Sequence, residues 1–177
     1  TYKKVIKNSN YSFSRYNFFL FNYLITKKKD FKVDDFNKEE NHNYNDHLII
    51  KEAKGFIKTN QTVKITNFFN YKKPTDALAE IFYVIANMYS TEKNYKLSNF
   101  YLNISLFLNN KFTPNKVLLA ENLFYLNKYK KWKKFYNEIK KIGPIYSWHA
   151  SKNISIILSN IENDKEAISY LEKEFKL

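Results

Sequence analysis

Apolar residues recur every three to four positions along most of the chain, which is the spacing of one face of an α-helix. In the first part this spacing predicts helices over about 12–28, 31–40, 46–59 and 61–71. In the second part it predicts helices over about 75–90, 95–109, 114–127, 130–142, 147–160 and 165–176. Short polar links join these helices into antiparallel pairs. The sequence therefore predicts an all-α fold of four or five helical hairpins.

Two boundaries in this pattern carry capping signals. Pro74 ends one helix, and Thr75 and Asp76 then offer side-chain oxygens as an N-cap for the next. Gly143 followed by Pro144 predicts a helix C-cap, because glycine adopts the left-handed conformation easily and proline does not continue a helix.

Residues of matching size recur with a period of 34 in the second part of the chain. Ala86 and Ala120 are both small. The large residues around them pair as Ile85 with Leu119, Tyr89 with Leu123, Tyr95 with Tyr129, Leu102 with Tyr136, and Leu108 with Ile142. A helical hairpin of this length does not bury its apolar face alone, so we expect it to stack on its neighbours.

These residues resemble the tetratricopeptide repeat, a helix–turn–helix unit with large and small side chains at fixed positions. The clearest unit has Phe82, Ile85, Ala86, Tyr89, Tyr95, Ser98, Leu102 and Ser105. The next has Leu119, Ala120, Leu123, Tyr129, Tyr136 and Pro144, and the last has Ile154, Ser155, Leu158, Ala167 and Leu171. The resemblance is to bacterial repeat proteins, with the best repeats over about 75–110, 113–144 and 147–177. It implies one helical-repeat domain over 1–177, coiled as a right-handed superhelix.

One unit departs from the family pattern. Small residues such as Ala86 and Ser98 let paired helices approach to about 8–10 Å. Trp132 and Ile139 stand where the family has small residues, and Lys116 replaces a large apolar one. We therefore expect this unit to be splayed, or Trp132 to turn outward and pack on something else.

In this family the first helices of successive units line a concave groove. The matching positions of this chain are Tyr83, Asn87, Ser90, Val117, Glu121, Phe124, Lys152 and Ile156. Tyr125 and His149 also fall on groove positions. The resemblance implies a non-enzymatic scaffold that binds an extended peptide or a partner helix there. A clamp for the carboxylate end of chaperones is incomplete, since only Asn87 and Lys152 match it.

The formal net charge is +13, and lysines crowd one predicted helix. They are Lys130, Lys131, Lys133, Lys134, Lys140 and Lys141. A basic surface with Trp132 and Tyr136 interleaved suits electrostatic binding of nucleic acid or anionic lipid. The alternative is codon bias, because Lys, Asn, Ile, Tyr and Phe are typical of an A/T-rich genome and Arg15 is the single arginine. The lysines would then mark only a solvated face, and the sequence leaves both explanations open.

Motifs for catalysis, cofactors or metals are missing. The chain has no cysteine, which excludes thiolate ligands, and its 2 glycines leave no room for a phosphate-binding loop. His42 and His47 are not one helical turn apart, so we interpret them as a solvated loop and not a zinc site. Paired carboxylates lie at polar helix ends, where they favour the helix dipole. We therefore predict no enzymatic activity, no cofactor and no metal.

The sequence leaves the compartment open. No stretch approaches 18 apolar residues, so it predicts no transmembrane helix. The first residues lack the apolar run of a signal peptide. Because Thr1 is not an initiator methionine, we expect further chain upstream, and both cytoplasm and periplasm stay possible locations.

Overall fold

The computed structural model describes residues 72–161 and 163–176, together with Leu48, Lys51, Gly55, Thr59, Phe69 and Asn70. The helices within 72–176 are α1 (Pro74–Thr91), α2 (Tyr95–Leu108), α3 (Thr113–Tyr125), α4 (Tyr129–Ile139), α5 (Pro144–Ile161) and α6 (Asp164–Phe175). No strand occurs among the described residues, so the all-α prediction is confirmed for this part of the chain. Of the helices predicted before residue 72, only Leu48, Lys51 and Gly55 are described as helical; the rest lie outside the described residues.

The chain forms two compact units, Thr1–Asn115 and Lys116–Leu177. In the first unit, α1 and α2 form an antiparallel hairpin held by buried serines. The Ser98 hydroxyl donates to the carbonyl oxygen of Ala86 at 2.7 Å, and the Ser105 hydroxyl donates to that of Ala79. All four residues are fully buried. The small side chains therefore lie where the two helices touch, and the hydroxyls of both serines are hydrogen-bonded.

Aromatic rings fill the space around this contact. Tyr101 stacks on Tyr89, with ring centroids 5.5 Å apart, and on Phe82 at 6.2 Å. Phe112 is fully buried and meets the edge of Tyr83 at 5.7 Å. Offset and edge-to-face arrangements suit the ring quadrupoles, so these ring pairs stabilise the unit beyond the apolar area that they bury.

The boundary between the units falls inside α3, so the second unit contains α3 from Lys116 onward together with α4, α5 and α6. Its α5 and α6 are antiparallel, because Trp148 packs on Phe175 at one end of the pair and Ser159 bonds to Asp164 at the other. The α4 helix packs on α5 through its apolar stripe of Trp132, Tyr136 and Ile139. Trp132 does not turn to solvent: it is 3% exposed, and its ring lies 5.0 Å from that of Tyr136.

The turns that follow α1 and α3 have the same geometry, 34 residues apart. Lys93 and Asn127 both adopt the left-handed conformation, with φ of 60° and 56°. In each turn the amide of the following residue donates to the carbonyl oxygen five positions earlier. Asn94 donates to Tyr89 at 2.8 Å, and Lys128 donates to Leu123 at 2.9 Å. This is the Schellman C-cap, made here without glycine. The recurrence seen in side-chain size thus extends to the backbone of two hairpins.

Both predicted capping signals were wrong in detail. The α1 helix begins at Pro74 itself, with Lys73 as an N-cap that makes no side-chain bond. Proline suits the first helical position because its missing N–H needs no partner there. The α4 helix ends at Ile139, and Gly143 does not adopt positive φ. Its carbonyl instead accepts from the amide of Ser147 at 2.8 Å, so Gly143 belongs to the start of α5, again followed by a proline.

Candidate functional site

Two predicted groove helices of the second unit meet through a polar contact. The Glu121 carboxylate on α3 lies 3.8 Å from Nε2 of His149 on α5. His149 is held in place by Asn153, whose amide nitrogen donates to the His149 carbonyl at 2.8 Å and lies 3.2 Å from the same Nε2. The His149 ring also packs against Tyr136, with centroids 6.3 Å apart. Side chains from α3, α4 and α5 therefore converge at Glu121.

The protonation of Glu121 is sensitive to this environment. Desolvation raises the pKa of Glu121 from 4.5 to about 7. The Glu121 side chain is nevertheless 40% exposed to solvent. Solvent screens a carboxyl this open to water, which reduces the effect of its charge on stability. Burial also raises the pKa of Tyr136, and the charge of Glu121 adds to that rise, so the phenol stays protonated.

The helical register extends this contact into a surface, which we call the α3–α5 face: Glu121, Tyr125, His149, Lys152 and Ile156. Residues three, four and seven apart share one side of a helix, which places Tyr125 beside Glu121, and Lys152 and Ile156 beside His149. Tyr125 is 59% exposed and Ile156 is 45% exposed. Lys152 is exposed too, whereas the predicted groove residues Val117 and Phe124 are half-buried.

The predicted groove residues of the first unit are engaged within that unit. Asn87 is buried, and its amide nitrogen donates to the Tyr83 carbonyl at 3.0 Å. The Tyr83 ring packs on Phe112. Ser90 is half-buried, and its carbonyl accepts from the amide of Lys93 at 2.9 Å. These three residues contribute to helix packing and capping, whereas the predicted groove residues Tyr125 and Ile156 of the α3–α5 face are exposed.

The predicted basic residues divide into two groups. Lys130, Lys131, Lys133, Lys134 and Lys141 are exposed. Lys140 is separate, because its ammonium pairs with Glu174 on α6 and donates to the Tyr170 hydroxyl at 3.3 Å. Desolvation lowers the pKa of Lys140, but these two bonds outweigh it and raise the pKa overall.

Other chemistry is limited in the part of the chain that the structure describes. No group of three His, Asp or Glu side chains there is placed to hold a metal ion. No helix there is long and apolar enough to cross a membrane. His42 and His47 lie outside the described residues.

We compared the chain with known protein families, curated proteins and solved structures. It matches none of them. Glu121 and His149 both occupy predicted groove positions, but the sequence does not predict their contact, because 28 residues separate them and no local period links one to the other.

Replacing Glu121 by Gln is expected to stabilise the protein at pH 8 and to change little at pH 4. The raised pKa means that the folded protein holds a proton that the unfolded chain releases above pH 4.5. The contribution of Glu121 to stability is therefore fully present below pH 4.5 and is lost as the pH rises through the folded pKa. Gln has the shape of the protonated carboxyl and does not ionise, so the variant does not lose stability as the pH rises. The expected gain is below about 1 kcal/mol, because solvent screens the side chain.

Urea unfolding of both proteins across this pH range measures the difference. Tyr125, Tyr136 and His149 are the titratable neighbours, so a His149→Gln background separates any charge pairing from desolvation. Glu138→Gln on α4 is the charge-matched control. A wild-type protein that becomes more stable than Glu121→Gln as the pH rises would contradict the assignment.

Proposed function

We propose that the protein is a non-enzymatic scaffold of stacked tetratricopeptide-like hairpins that binds an extended peptide or partner helix on the α3–α5 face. The observation that carries the proposal is the contact between Glu121 and His149, which brings α3 and α5 together. Tyr125, on the same side of α3 as Glu121, and Ile156, on the same side of α5 as His149, are exposed. An aromatic and an aliphatic anchor beside polar groups is the composition of a peptide-binding surface.

The repeated backbone geometry supports the stacked-hairpin part of this proposal. Two Schellman turns recur at a spacing of 34 residues, and Ala86 and Ala120 are fully buried at the same interval. Asn94 and Asn163 each cap the second helix of a hairpin, accepting from the amide three residues on. Hairpins of one design stack by the same contacts, and in tetratricopeptide proteins this stacking generates a right-handed superhelix with a concave groove.

The composition of the α3–α5 face sets what the partner contributes. Tyr125 offers an exposed ring with only two rotatable side-chain bonds, so ordering it costs little entropy. Ile156 offers aliphatic surface, and Lys152 and Glu121 offer polar groups on the same face. A partner with one or two large apolar side chains flanked by polar ones complements this arrangement.

Panning a phage-displayed library of random peptides against the full chain tests the proposal. An enriched peptide should lose at least about 30-fold in affinity towards a Tyr125→Ala/Ile156→Asp variant, as expected when anchor residues are removed. Fluorescence anisotropy with the labelled peptide gives the dissociation constants. Ile168→Asp is the matched control, because Ile168 is 56% exposed but lies on α6.

Binding that is unchanged in the double variant, or lost equally in Ile168→Asp, would place the peptide elsewhere. Failure to enrich any peptide would oppose the scaffold itself. Circular dichroism of both variants excludes unfolding as the cause of a loss.

A further inference from the structure

The outer side of α4 carries a dense positive surface that the proposed peptide site does not use. We infer that this surface, formed by Lys130, Lys133, Lys134 and Lys141 and named here the α4 lysine face, binds the phosphate backbone of a single-stranded nucleic acid, with Tyr129 stacking on a base.

The lysines collect on one side because of the helical register of α4. Trp132, Tyr136 and Ile139 recur at intervals of three and four residues and are buried. Lys130, Lys133, Lys134 and Asn137 have the same spacing on the opposite side, and all are exposed. The core that holds α4 thus fixes the direction in which its lysines point.

These side chains line an open depression of about 530 Å³, together with Asn137 and Glu138. Glu138 is the one carboxylate in the lining, so the positive charge of four ammonium groups is largely uncompensated there. Lys140, which has its own carboxylate partner in Glu174, is not part of this lining. An exposed surface with excess positive charge attracts a flexible polyanion.

An aromatic ring lies next to this charge. A second depression of about 430 Å³ is lined by Tyr129 with Asn127, Lys128, Lys130 and Lys131. The Tyr129 ring is 39% exposed. It is positioned by Phe124, whose ring centroid lies 6.2 Å away, and by a hydrogen bond from its hydroxyl to Asn127 at 2.7 Å. Lys130 borders both depressions, so the ring and the lysine face are continuous.

This pairing favours a single strand over the other polyanions. Stacking on Tyr129 needs an unpaired base, which a duplex does not present. A membrane-binding amphipathic helix inserts its apolar side into lipid, but the apolar side of α4 is buried within its own unit. The exposed lysines attract an anionic bilayer as well, but only a nucleic acid also offers a base that can stack on Tyr129.

The test is binding of the full chain to a labelled twenty-nucleotide oligothymidylate, followed by fluorescence anisotropy. Four phosphate contacts predict an affinity that falls by about 50-fold between 50 and 200 mM salt. Replacing all four lysines of the α4 lysine face by Gln should remove most of this salt dependence. The matched control replaces Lys73, Lys96, Lys111 and Lys165 by Gln, since these are exposed and lower the net charge equally. The control should retain most of the wild-type affinity.

Tyr129 has its own pair of variants. Tyr129→Ala should weaken binding by about 5- to 100-fold through lost stacking. Tyr129→Phe keeps the ring and should bind as the wild type does, and thermal unfolding of both shows whether the fold is intact.

Three results would overturn the inference: no binding to the oligonucleotide at 50 mM salt, equal losses in the two lysine variants, or tighter binding to the matching duplex or to phosphatidylcholine–phosphatidylglycerol vesicles. The Tyr125→Ala/Ile156→Asp variant should bind the oligonucleotide normally. The proposals of a nucleic-acid site and of a peptide site are therefore tested independently.

Discussion

Replacing Trp132 by Ala is expected to lower the free energy of unfolding by about 3–5 kcal/mol, the usual cost of removing a large aromatic side chain from a core. Trp132 is 3% exposed and its ring packs at 5.0 Å on Tyr136, which is also buried. Because Ala does not fill the space of the indole ring, the substitution leaves a cavity beside Tyr136. In a chain of this length, the loss corresponds to a fall in Tm of roughly 6–20 °C.

The second tryptophan of the chain provides the control. Trp148 is 57% exposed and packs on Phe175 at the end of the α5–α6 pair. Trp148→Ala should cost only about 1 kcal/mol, the value of an exposed aromatic pair. Urea unfolding monitored by far-ultraviolet circular dichroism measures both variants. Equal costs for the two substitutions would contradict the burial of Trp132.

Much of the helical order could be predicted from the sequence, because apolar spacing reports directly on which side of a helix is buried. The helices from residue 74 onward appear in the predicted order, with ends displaced by up to three residues. Their boundaries at Pro74 and Gly143 were harder to place. Each residue can end one helix or begin the next, and only the position of the neighbouring helix decides which.

The environment of Trp132 could not be predicted from the family pattern alone. A bulky residue where a small one is expected forces either an open hairpin or a rearranged contact, and sequence spacing does not distinguish them. Here Trp132 stays inside its unit and packs on Tyr136, as part of the stripe that includes Ile139. Pairwise packing of this kind depends on side-chain volumes from several helices at once.

The candidate site was only partly predictable for a similar reason. Helical periodicity places Glu121 with Tyr125, and His149 with Ile156, but the contact between Glu121 and His149 joins two helices. Likewise, the sequence alone assigns Lys140 to the same basic surface as the neighbouring lysines. In the fold it pairs with Glu174, which is 34 residues away in the sequence. Long-range pairs of this kind need the tertiary arrangement, which a local pattern does not contain.

Replacing Ala86 by Leu is expected to destabilise the first unit by about 2–4 kcal/mol. Ala86 is fully buried where α1 and α2 touch, and its carbonyl accepts the buried Ser98 hydroxyl at 2.7 Å. The added carbons force the helices apart, which typically costs about 1–3 kcal/mol. Separation of the helices also breaks the Ser98 hydrogen bond, which adds about 1 kcal/mol.

Two further variants make this result a test of the 34-residue recurrence. Ala120 is fully buried in the second unit, so Ala120→Leu should cost about 1–3 kcal/mol for the added carbons, without the hydrogen-bond part, because Trp132 stands where Ser98 does. Ala77→Leu in the first turn of α1 is the control, because Ala77 is only half-buried and should tolerate the larger side chain within about 1 kcal/mol. Chemical denaturation of the three variants ranks these costs. If Ala120→Leu proved as mild as Ala77→Leu, the two alanines would not be equivalent positions, and the shared interval between them would reflect composition rather than a repeated helix contact.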